Sequence, residues 1–492
     1  LKFCFAATAL CMLLAHGFAW FNLFPSHDGT IVVFDADVVM LQLGRWVELP
    51  YFRFLRGRVN NPWLNGAYTV FWTSLAMYLA SSLLQLATAA VCGVFSTAIS
   101  VTLLYATYYD KTDVYTCAMF LAFLGVYAVR RCCRPWLGLL LCGGGLCLSM
   151  GLYQGYIEFA IGLLLLCMLR DCLTTDLPWK DYLRQGITAI VGLLLGSVLY
   201  AVSMKVALAY KHLELIDSYN GLQQMGRAGV ADYLARLPGA YKQVFTTLLG
   251  YDVWNNRGMR LATAVCLLLG LACLVLALRK KPLRAAVQVV ILLVLLPLGL
   301  NVVYLLSERH PTLLMLYPVY LVYALVLLLT GLEPDTIPRS AAWLACLLCA
   351  FITVQNVIYA NGAYTYRKLV YENTRAQVYT IMAKVEDLPG YVEGETPVVF
   401  SGDFTDSNFT YHNDLIRLYE EGETGLSGSA ITYDGTIKWW FGNIMGSSAK
   451  VVNTQAELDA WAENPTVQAM PSYPASGCIA MVDGAAVIKL SD

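Results

Sequence analysis

Residues 1–24, LKFCFAATALCMLLAHGFAWFNLF, form an apolar run. The polar tetrapeptide Ser26-His27-Asp28-Gly29 follows it after Pro25. A loop over 25–65 follows, and its charged and polar side chains include Asp35, Asp37, Gln42, Arg45, Arg53, Arg56 and Arg58. Arginines tend to stay in the cytoplasm when a membrane protein inserts, so four arginines in a loop that topology places outside need a functional reason. Carboxylates beside guanidinium groups at the mouth of a membrane protein suit chemistry on a phosphate-bearing lipid.

Composition places the chain among polytopic membrane proteins. Hydrophobic residues make up 58% of the 492 residues and charged residues 14%, and the mean hydropathy is +0.57. A soluble domain carries about a quarter charged residues, so a soluble protein is excluded. The net charge of -1 averages opposite sides of a membrane and identifies no partner. We expect no nucleic-acid partner.

Apolar runs of about 17–25 residues, long enough to cross a bilayer as helices, recur over 1–360. We predict about 11 transmembrane helices, near 4–24, 66–86, 89–108, 114–129, 135–151, 155–169, 187–208, 261–278, 285–306, 312–332 and 341–360. With the N-terminus inside, the loops rich in Lys and Arg after the fourth, sixth and eighth helices, and Arg339 after the tenth, lie in the cytoplasm. The loop 25–65 and the chain beyond the last helix then lie outside.

The chain is predicted to divide into a transmembrane domain, 1–360, and a small extracytoplasmic α/β domain, 361–492. In the second domain, helical spacing predicts a helix over 366–387 that extends the last span, and Pro397-Val398-Val399-Phe400 indicates a buried strand. The sequence Thr454-Gln455-Ala456-Glu457 predicts a capping box that opens a short helix. Asp483-Gly484 predicts a primed turn between two strands near the C-terminus.

Several segments resemble one family of bacterial membrane enzymes. They are SHDG at 26–29, QLGRW at 42–46, FRFLRG at 52–57, NNPWL at 60–64, YDKTD at 109–113, GLYQGY at 151–156, LLPLGLN at 295–301 and YPASGCIAMVDGAAVIKL at 473–490. Over most of the chain they resemble the serotype-converting bacterial glucosyltransferases (type II glucosyl transferases). The resemblance implies a multi-spanning GT-C fold in the bacterial cytoplasmic membrane, with the site outside. It also implies transfer of a hexose, here glucose, from polyprenyl (undecaprenyl) phosphate to an envelope glycan such as O-antigen or teichoic acid.

Transfer from a lipid-phosphate sugar needs a base for the acceptor hydroxyl and cations for the departing phosphate. Asp28 is the first candidate for the base, because it lies within a few residues of the outer end of the first span, beside Gly29 and next to His27, itself a candidate substrate ligand. The alternative is a solvated loop carboxylate or a helix N-cap. Asp35 and Asp37 are the next catalytic candidates, and either of them also fits as the cap of a helix predicted over 38–49.

Four arginines of the loop differ in their expected roles. The helix 38–49 is expected to lie along the membrane surface and to end at Pro50. Arg45, on this helix, is the first choice for phosphate contact, and contact with lipid headgroups is the alternative. Arg53 and Arg56 share a helical face at i, i+3 and are expected to clamp the same phosphate, whereas Arg58 is expected to be solvated or to bind headgroups.

Other side chains are predicted to bind substrate in the same outer vestibule: Asp110, Asp113, Tyr153, Gln154, Arg309 and Lys489. The two carboxylates suit sugar hydroxyls or a divalent ion such as Mg²⁺ or Mn²⁺, but also an ordinary turn, and we expect no required cofactor. Tyr153 is equally typical of an aromatic-belt anchor. Glu158, one turn deeper, is an intramembrane carboxylate, which is functional by default unless a partner makes it structural. His16 is expected to be a helix–helix contact.

Two further classes compete with the enzyme. A flippase or transporter of lipid-linked sugars would also be polytopic, but it would show repeated halves and several buried charges. A glycan ligase or polymerase would take a pyrophosphate-linked oligosaccharide. We therefore expect a glycosyltransferase whose partners are the lipid-linked sugar, an envelope polysaccharide and membrane lipid. In the C-terminal domain, Tyr433, Trp439 and Trp440 either stack on acceptor sugars or form that domain's own core.

Overall fold

The computed structural model describes residues 1–25, 27–30, 36–57, 59, 61–107, 111–216, 228–250, 256–307, 311–406, 408–413, 428–432 and 434–491. Within these ranges the chain is mostly α-helical, with one β-sheet near the C-terminus. In chain order the helices are α1 Lys2–Phe21, α2 Ala36–Gln42, α3 Glu48–Tyr51, α4 Pro62–Leu84, α5 Thr88–Ser96, α6 Ile99–Thr107, α7 Thr112–Arg131, α8 Pro135–Leu152, α9 Ile157–Thr174, α10 Trp179–Lys211, α11 Val230–Leu249, α12 Arg257–Arg279, α13 Leu283–Gly299, α14 Val302–Leu306, α15 Leu321–Thr330, α16 Arg339–Glu386, α17 Asp434–Trp439, α18 Gln455–Ala462 and α19 Pro465–Ala469.

Length and apolar composition allow eight described segments to cross a membrane: α1, α4, α5 with α6, α7, α8, α10, α12 and α16. Two shorter apolar helical segments, Leu283–Gly299 and Tyr317–Thr330, coincide with further expected spans. α9 coincides with another, although it carries Glu158, Arg170 and Asp171. The chain is therefore a multi-spanning membrane protein, as composition predicts, and the count of 11 crossings stays a prediction.

Glycines set the closest helix contacts, because small residues let membrane helices approach each other. Gly192 and Gly196 of α10, four residues apart, face α8, and a Cβ at Gly196 would lie 2.5 Å from the Leu146 Cβ. At the start of α4, Gly66 receives the indole ring of Trp20 from α1. α10 therefore joins the bundle along one narrow face, and much of its remaining surface is exposed.

The helix predicted over 285–306 is divided in two. Pro297 lies in the last turn of α13, and α14 begins only at Val302. Proline removes a helical hydrogen bond and disturbs the preceding turn, which favours a break here. The buried Asn301 lies in the break, and its amide nitrogen donates to the Ala240 carbonyl oxygen at 3.1 Å. Ala240 belongs to α11, so this helix packs over the break.

α16 is one helix of 48 residues, and its second half confirms the helix predicted over 366–387. His16 joins it to the bundle. The His16 Nε2 donates to the Ser96 carbonyl oxygen at 2.8 Å, so its Nδ1 accepts the Tyr364 hydroxyl, at 2.7 Å. The ring is fully buried and connects α1, α5 and α16, which confirms the predicted helix–helix contact.

The sheet contains β1 Pro397–Ser401, β2 Lys450–Val451, β3 Ile479–Val482 and β4 Ala485–Lys489, in the order β2-β1-β4-β3. β1 pairs in parallel with β2 and β4, and β3 pairs antiparallel with β4. Asp483 and Gly484 have φ of 47° and 82°, as a primed turn requires. The predicted strand and hairpin are confirmed.

The short helix predicted from Thr454 is confirmed as α18, but the prediction of a capping box at its start is wrong. The Thr454 hydroxyl donates to the Glu457 carboxylate, and the Thr454 side chain accepts no backbone N–H. The two side chains therefore satisfy each other instead of the backbone at the helix start.

Lys489 does not face a vestibule. It is buried in β4, and its Nζ donates to the carbonyl oxygens of Gln468 and Met470 at 3.1 and 3.0 Å. These carbonyls lie at the end of α19, where the helix dipole favours a cation. The predicted substrate contact of Lys489 is therefore wrong, because the C-terminal end of a neighbouring helix holds its ammonium group.

Residues 387–491, called the tail below, contact the loop that follows α1. Asn443 donates from Nδ2 to the Thr30 carbonyl oxygen at 2.8 Å. Trp440 is fully buried, and its ring centroid lies 5.5 Å from that of Tyr371 on α16. Trp440 thus forms part of the tail's core, Trp439 is half-buried, and Tyr433 lies outside the described residues.

Candidate active site

The loop after α1 folds back into the end of the helix bundle. The Leu43 carbonyl oxygen accepts Nε2 of Gln154 at 2.5 Å, and the Gly44 carbonyl oxygen accepts the Tyr200 hydroxyl at 3.1 Å. The Val47 N–H donates to the Gly151 carbonyl oxygen at 2.9 Å. Three backbone groups of the loop are therefore fixed to the end of α8, to Tyr200 within α10 and to the turn between α8 and α9.

Gly44 makes this fold possible, and it overturns the helix predicted over 38–49. Its φ is +78°, and a Cβ there would lie 2.5 Å from the Tyr200 hydroxyl oxygen. Only glycine adopts this conformation readily, so α2 ends at Gln42 and α3 begins at Glu48. Pro50 lies inside α3 rather than ending a helix, in the first turn where proline is tolerated. The loop therefore does not form one helix along the membrane surface.

A short π-helix, Phe52–Arg56, continues α3 and separates the two arginines that were expected to act together. Arg56 is 4% exposed, whereas Arg53 is exposed and its guanidinium carbon lies 5.5 Å from the ring centroid of Phe54. A π-helix has i→i+5 hydrogen bonds, so residues three apart no longer share a face. The predicted Arg53–Arg56 clamp is therefore wrong.

Five ionisable side chains meet beneath this loop: Arg45, Glu48, Arg56, Lys111 and Asp113, called the buried charge cluster below. Lys111 Nζ lies 2.7 Å from Glu48 Oε2, and Arg45 Nη1 lies 3.8 Å from Glu48 Oε1. Arg56 Nη1 lies 3.4 Å from Asp113 Oδ1. All five residues are less than a tenth exposed. Within the described part of the chain, Glu48 and Asp113 thus pair with these three cations at one end of a membrane bundle.

Aromatic rings separate and orient these charges. The Phe52 ring lies between two cations, 4.1 Å from the Arg56 guanidinium carbon and 4.8 Å from Lys111 Nζ. Tyr51 hydrogen-bonds to the Asp113 carboxylate and accepts the Trp72 indole N–H at 3.1 Å. Burial and the nearby Asp113 carboxylate raise the pKa of Tyr51, so its hydroxyl stays protonated and donates to Asp113.

Arg45 lies on a second aromatic surface. Its guanidinium carbon is 5.1 Å from the Tyr153 ring centroid, and its Nη1 is 3.5 Å from the Tyr115 hydroxyl. Tyr115 and Tyr153 pack with their centroids 4.4 Å apart. Tyr153 is buried beneath an arginine rather than placed as a membrane anchor, and Gln154 beside it fixes the loop backbone. Both predicted residues thus lie at the cluster, where they position Arg45 and the loop.

Some predicted site residues lie where side chains are not described. His27 and Asp28 belong to the 3₁₀ turn His27–Thr30, and Asp37 belongs to α2, but the side chains of these three residues are outside the described part. Four others, Asp35, Arg58, Asp110 and Arg309, lie wholly outside the described residues. Their predicted roles stay predictions.

Glu158 is fully buried, one turn from Gln154. Its Oε1 accepts the Val303 N–H at 2.8 Å. Val303 lies in the first turn of α14, so the carboxylate caps the helix that resumes after the break at Asn301. The intramembrane carboxylate therefore has a structural partner, as the alternative interpretation of the sequence required.

Glu48 is a site residue that sequence reasoning missed. It is fully buried and holds two cations, yet it belongs to no recognisable motif, and its main partner lies 63 residues away. The only available signal was its position three residues after Arg45, which matches a helical ion pair. The cluster can bind an anion, because its cations are already oriented by carboxylates and rings. Among the described residues, no three His, Cys, Asp or Glu side chains converge as a metal site requires.

The family described as Glucosyl transferase GtrII matches residues 17–330. The chain belongs to the GtrII glucosyl transferase family. The GtrII match begins within α1, ends with α15 and includes all five residues of the buried charge cluster, whereas α16 and the tail lie outside it. No curated protein and no solved structure gives a significant match. The protein is thus a glucosyl transferase, and the family suspected from its motifs is confirmed.

Proposed function

We propose that this GtrII family member takes glucose from polyprenyl (undecaprenyl) phosphate and adds it to an envelope glycan such as O-antigen or teichoic acid. The proposed enzyme is of the GT-C type, and its site faces the extracytoplasmic side of the bacterial cytoplasmic membrane. The buried charge cluster carries this proposal. Burying charges costs several kcal/mol for each ion unless partners compensate, and perturbed charges cluster at functional sites.

In this proposal, Arg45, Arg56 and Lys111 bind the phosphate that leaves with the lipid. Negative charge grows on the phosphate as the sugar departs, and preoriented cations stabilise it there. Glu48 and Asp113 position these cations. Both carboxylates are fully buried and paired, so neither suits the task of taking a proton from an acceptor.

We assign the base to Asp28, with Asp35 and Asp37 as the alternatives. Asp28 lies in the turn His27–Thr30, whose last carbonyl accepts Asn443 from the tail. A base in this turn would lie beside the tail, which is the part of the chain that we propose binds the acceptor. His27, Asp110 and Arg309 remain proposed substrate contacts in the same region. The reaction requires no cofactor in this scheme, and adding a chelator tests for assistance by Mg²⁺ or Mn²⁺.

The assay that tests the proposed function measures transfer of radiolabelled glucose from undecaprenyl phosphate glucose to envelope glycan by the purified protein in liposomes. We expect labelled polymer to form with the donor alone. A flippase would move the labelled lipid across the bilayer and leave the polymer unlabelled. A ligase or polymerase would require a pyrophosphate-linked oligosaccharide instead, and either result would contradict the proposal.

Arg45→Lys is expected to weaken use of the donor. Lysine keeps the charge but loses the planar fork that binds phosphate oxygens in pairs and stacks on Tyr153. The loss should be roughly five- to thirty-fold in kcat/KM, the size of one to two kcal/mol in charged hydrogen bonds. Steady-state kinetics with varied donor measure it. Arg53→Lys is the matched control, because Arg53 is exposed and should change kcat/KM little; equal losses would indicate a diffuse headgroup patch.

We also propose that the tail selects the acceptor. The Asn443 contact to Thr30 joins the tail to the turn that carries Asp28. Asn443→Ala removes one hydrogen bond, worth about 0.5–1.5 kcal/mol, so KM for the glycan acceptor should rise roughly two- to ten-fold. KM for the donor should stay unchanged. A change in donor KM alone would assign the contact to the donor side.

A further inference from the structure

An apolar cavity of 410 Å³ lies between α9, α10 and α13, outside the buried charge cluster. Its walls are almost wholly aliphatic and include Ile161, Leu165, Ile187, Ile190, Leu295 and Leu298. Ile187 is 61% exposed and Leu295 is 44% exposed, so the cavity is a groove that opens on the outer surface of the bundle. In a membrane, only hydrocarbon fills such a groove, because water finds no polar partner there.

The groove exists because α10 and α13 pack on different neighbours. α10 turns Gly192 and Gly196 towards α8, as described above, whereas α13 packs on α9. Gly299 at the end of α13 lies against Ile161, where a Cβ would come within 2.7 Å of the Ile161 Cγ2. Among the described residues α10 and α13 share no extended contact. α9 therefore forms the floor of the groove, and the other two helices form its walls.

One end of the groove adjoins the candidate active site. Val302 lines the groove, and the next residue, Val303, contacts the turn between α8 and α9, where a Cβ at Gly155 would lie 3.7 Å from a Val303 methyl group. Tyr153, two residues before Gly155, lies under the Arg45 guanidinium. The groove and the buried charge cluster thus adjoin each other at Val302-Val303 and at the turn between α8 and α9.

We propose that this groove binds the isoprenoid chain of the lipid-linked donor. The inference rests on the proposed function and deepens it, because it places the part of the donor that the charge cluster does not bind. If the donor phosphate lies at Arg45, the isoprenoid chain of the donor must enter the bilayer beside the cluster. The groove is aliphatic, adjoins the cluster and opens towards lipid. Apolar surface buried along it adds affinity for long chains and adds nothing for a chain too short to enter.

The test compares two donors, undecaprenyl phosphate glucose and a glucose phosphate of a two-isoprene alcohol, in Ile190→Trp. The indole fills the groove from the α10 wall. We expect KM for the long-chain donor to rise roughly ten-fold, the cost of displacing about two methylene groups. The value of kcat, and KM for the short-chain donor, should stay unchanged. Leu194→Trp is the matched control, because Leu194 is equally exposed on α10, one turn further on, but does not line the groove.

Three results would overturn the inference: equal KM changes for both donors, an unchanged long-chain KM, or the same change in Leu194→Trp. An unchanged long-chain KM would show that the groove does not contribute to binding of the donor. Leu295→Trp repeats the test from the opposite wall if Ile190→Trp does not fold, as judged by thermal unfolding in detergent. Failure of the proposed function looks different, because the unmodified protein would then transfer glucose from neither donor.

Discussion

Asp28→Asn is expected to abolish glucosyl transfer in a protein that still inserts, folds and binds its donor. Asparagine has nearly the same shape as aspartate but cannot accept the proton of the acceptor hydroxyl. General-base catalysis contributes about 10²–10⁴-fold, so kcat should fall by at least a hundredfold. Labelled glucose transfer measures kcat, and the rise in thermal unfolding temperature on adding undecaprenyl phosphate glucose measures donor binding.

Asp35→Asn is the comparison for this variant, and it should cost less. Turnover near the unmodified rate in Asp28→Asn would move the base to Asp35, Asp37 or Asp110. Loss of donor-dependent stabilisation together with turnover would instead make Asp28 a binding residue. The proposal therefore depends on a loss in kcat that occurs without a loss in donor binding.

Asp113→Leu is expected to destabilise the protein more than any other single change proposed for the cluster. It leaves the Arg56 guanidinium buried without the carboxylate 3.4 Å away, and it removes the acceptor of the Tyr51 hydroxyl. Breaking a buried ion pair on one side costs about 3–5 kcal/mol. Thermal unfolding in detergent, followed by the loss of monodisperse protein, measures the effect.

The double variant Arg56→Met with Asp113→Leu separates stability from function. Replacing a buried pair by apolar side chains is often neutral or stabilising, so the double variant should recover most of the stability lost in Asp113→Leu, apart from the Tyr51 hydrogen bond, but should transfer no glucose. Asp181→Leu is the control, because its pair with Arg184 is 3.1 Å long but exposed, and such pairs contribute about 0–1 kcal/mol. Strictly additive losses in the double variant would show that Arg56 and Asp113 do not interact.

Local sequence patterns predicted the parts of this fold that depend on local physics. Long apolar runs coincide with helices because a bilayer requires internally hydrogen-bonded backbone. The hairpin at Asp483-Gly484 was predictable because a primed turn needs two positive φ angles, which few residue pairs accept. His16 was predictable as a packing residue because an isolated histidine inside a span must find its own partners.

The candidate site was predictable only as a region. Arg45, Arg56, Asp113, Tyr153 and Gln154 all meet at one place, as expected of the loop and the segments beside it. Their partners were not predictable, because pairs such as Glu48 with Lys111 span 63 residues and depend on how the loop enters the bundle. The path of the loop depends on Gly44. A glycine within a helical sequence pattern does not by itself reveal whether the chain bends there.

Because α16 is one uninterrupted helix, its length determines the direction in which the tail faces. An α-helix rises about 1.5 Å and rotates about 100° for each residue. The number of α16 residues between the membrane and the tail therefore sets both the height of the tail and the direction that it faces. One inserted residue would turn Asn443 away from Thr30, whereas 18 residues, about five whole turns, would restore its heading far above the turn. Any homologue that keeps this contact must keep the length of this helix, whatever side chains it carries.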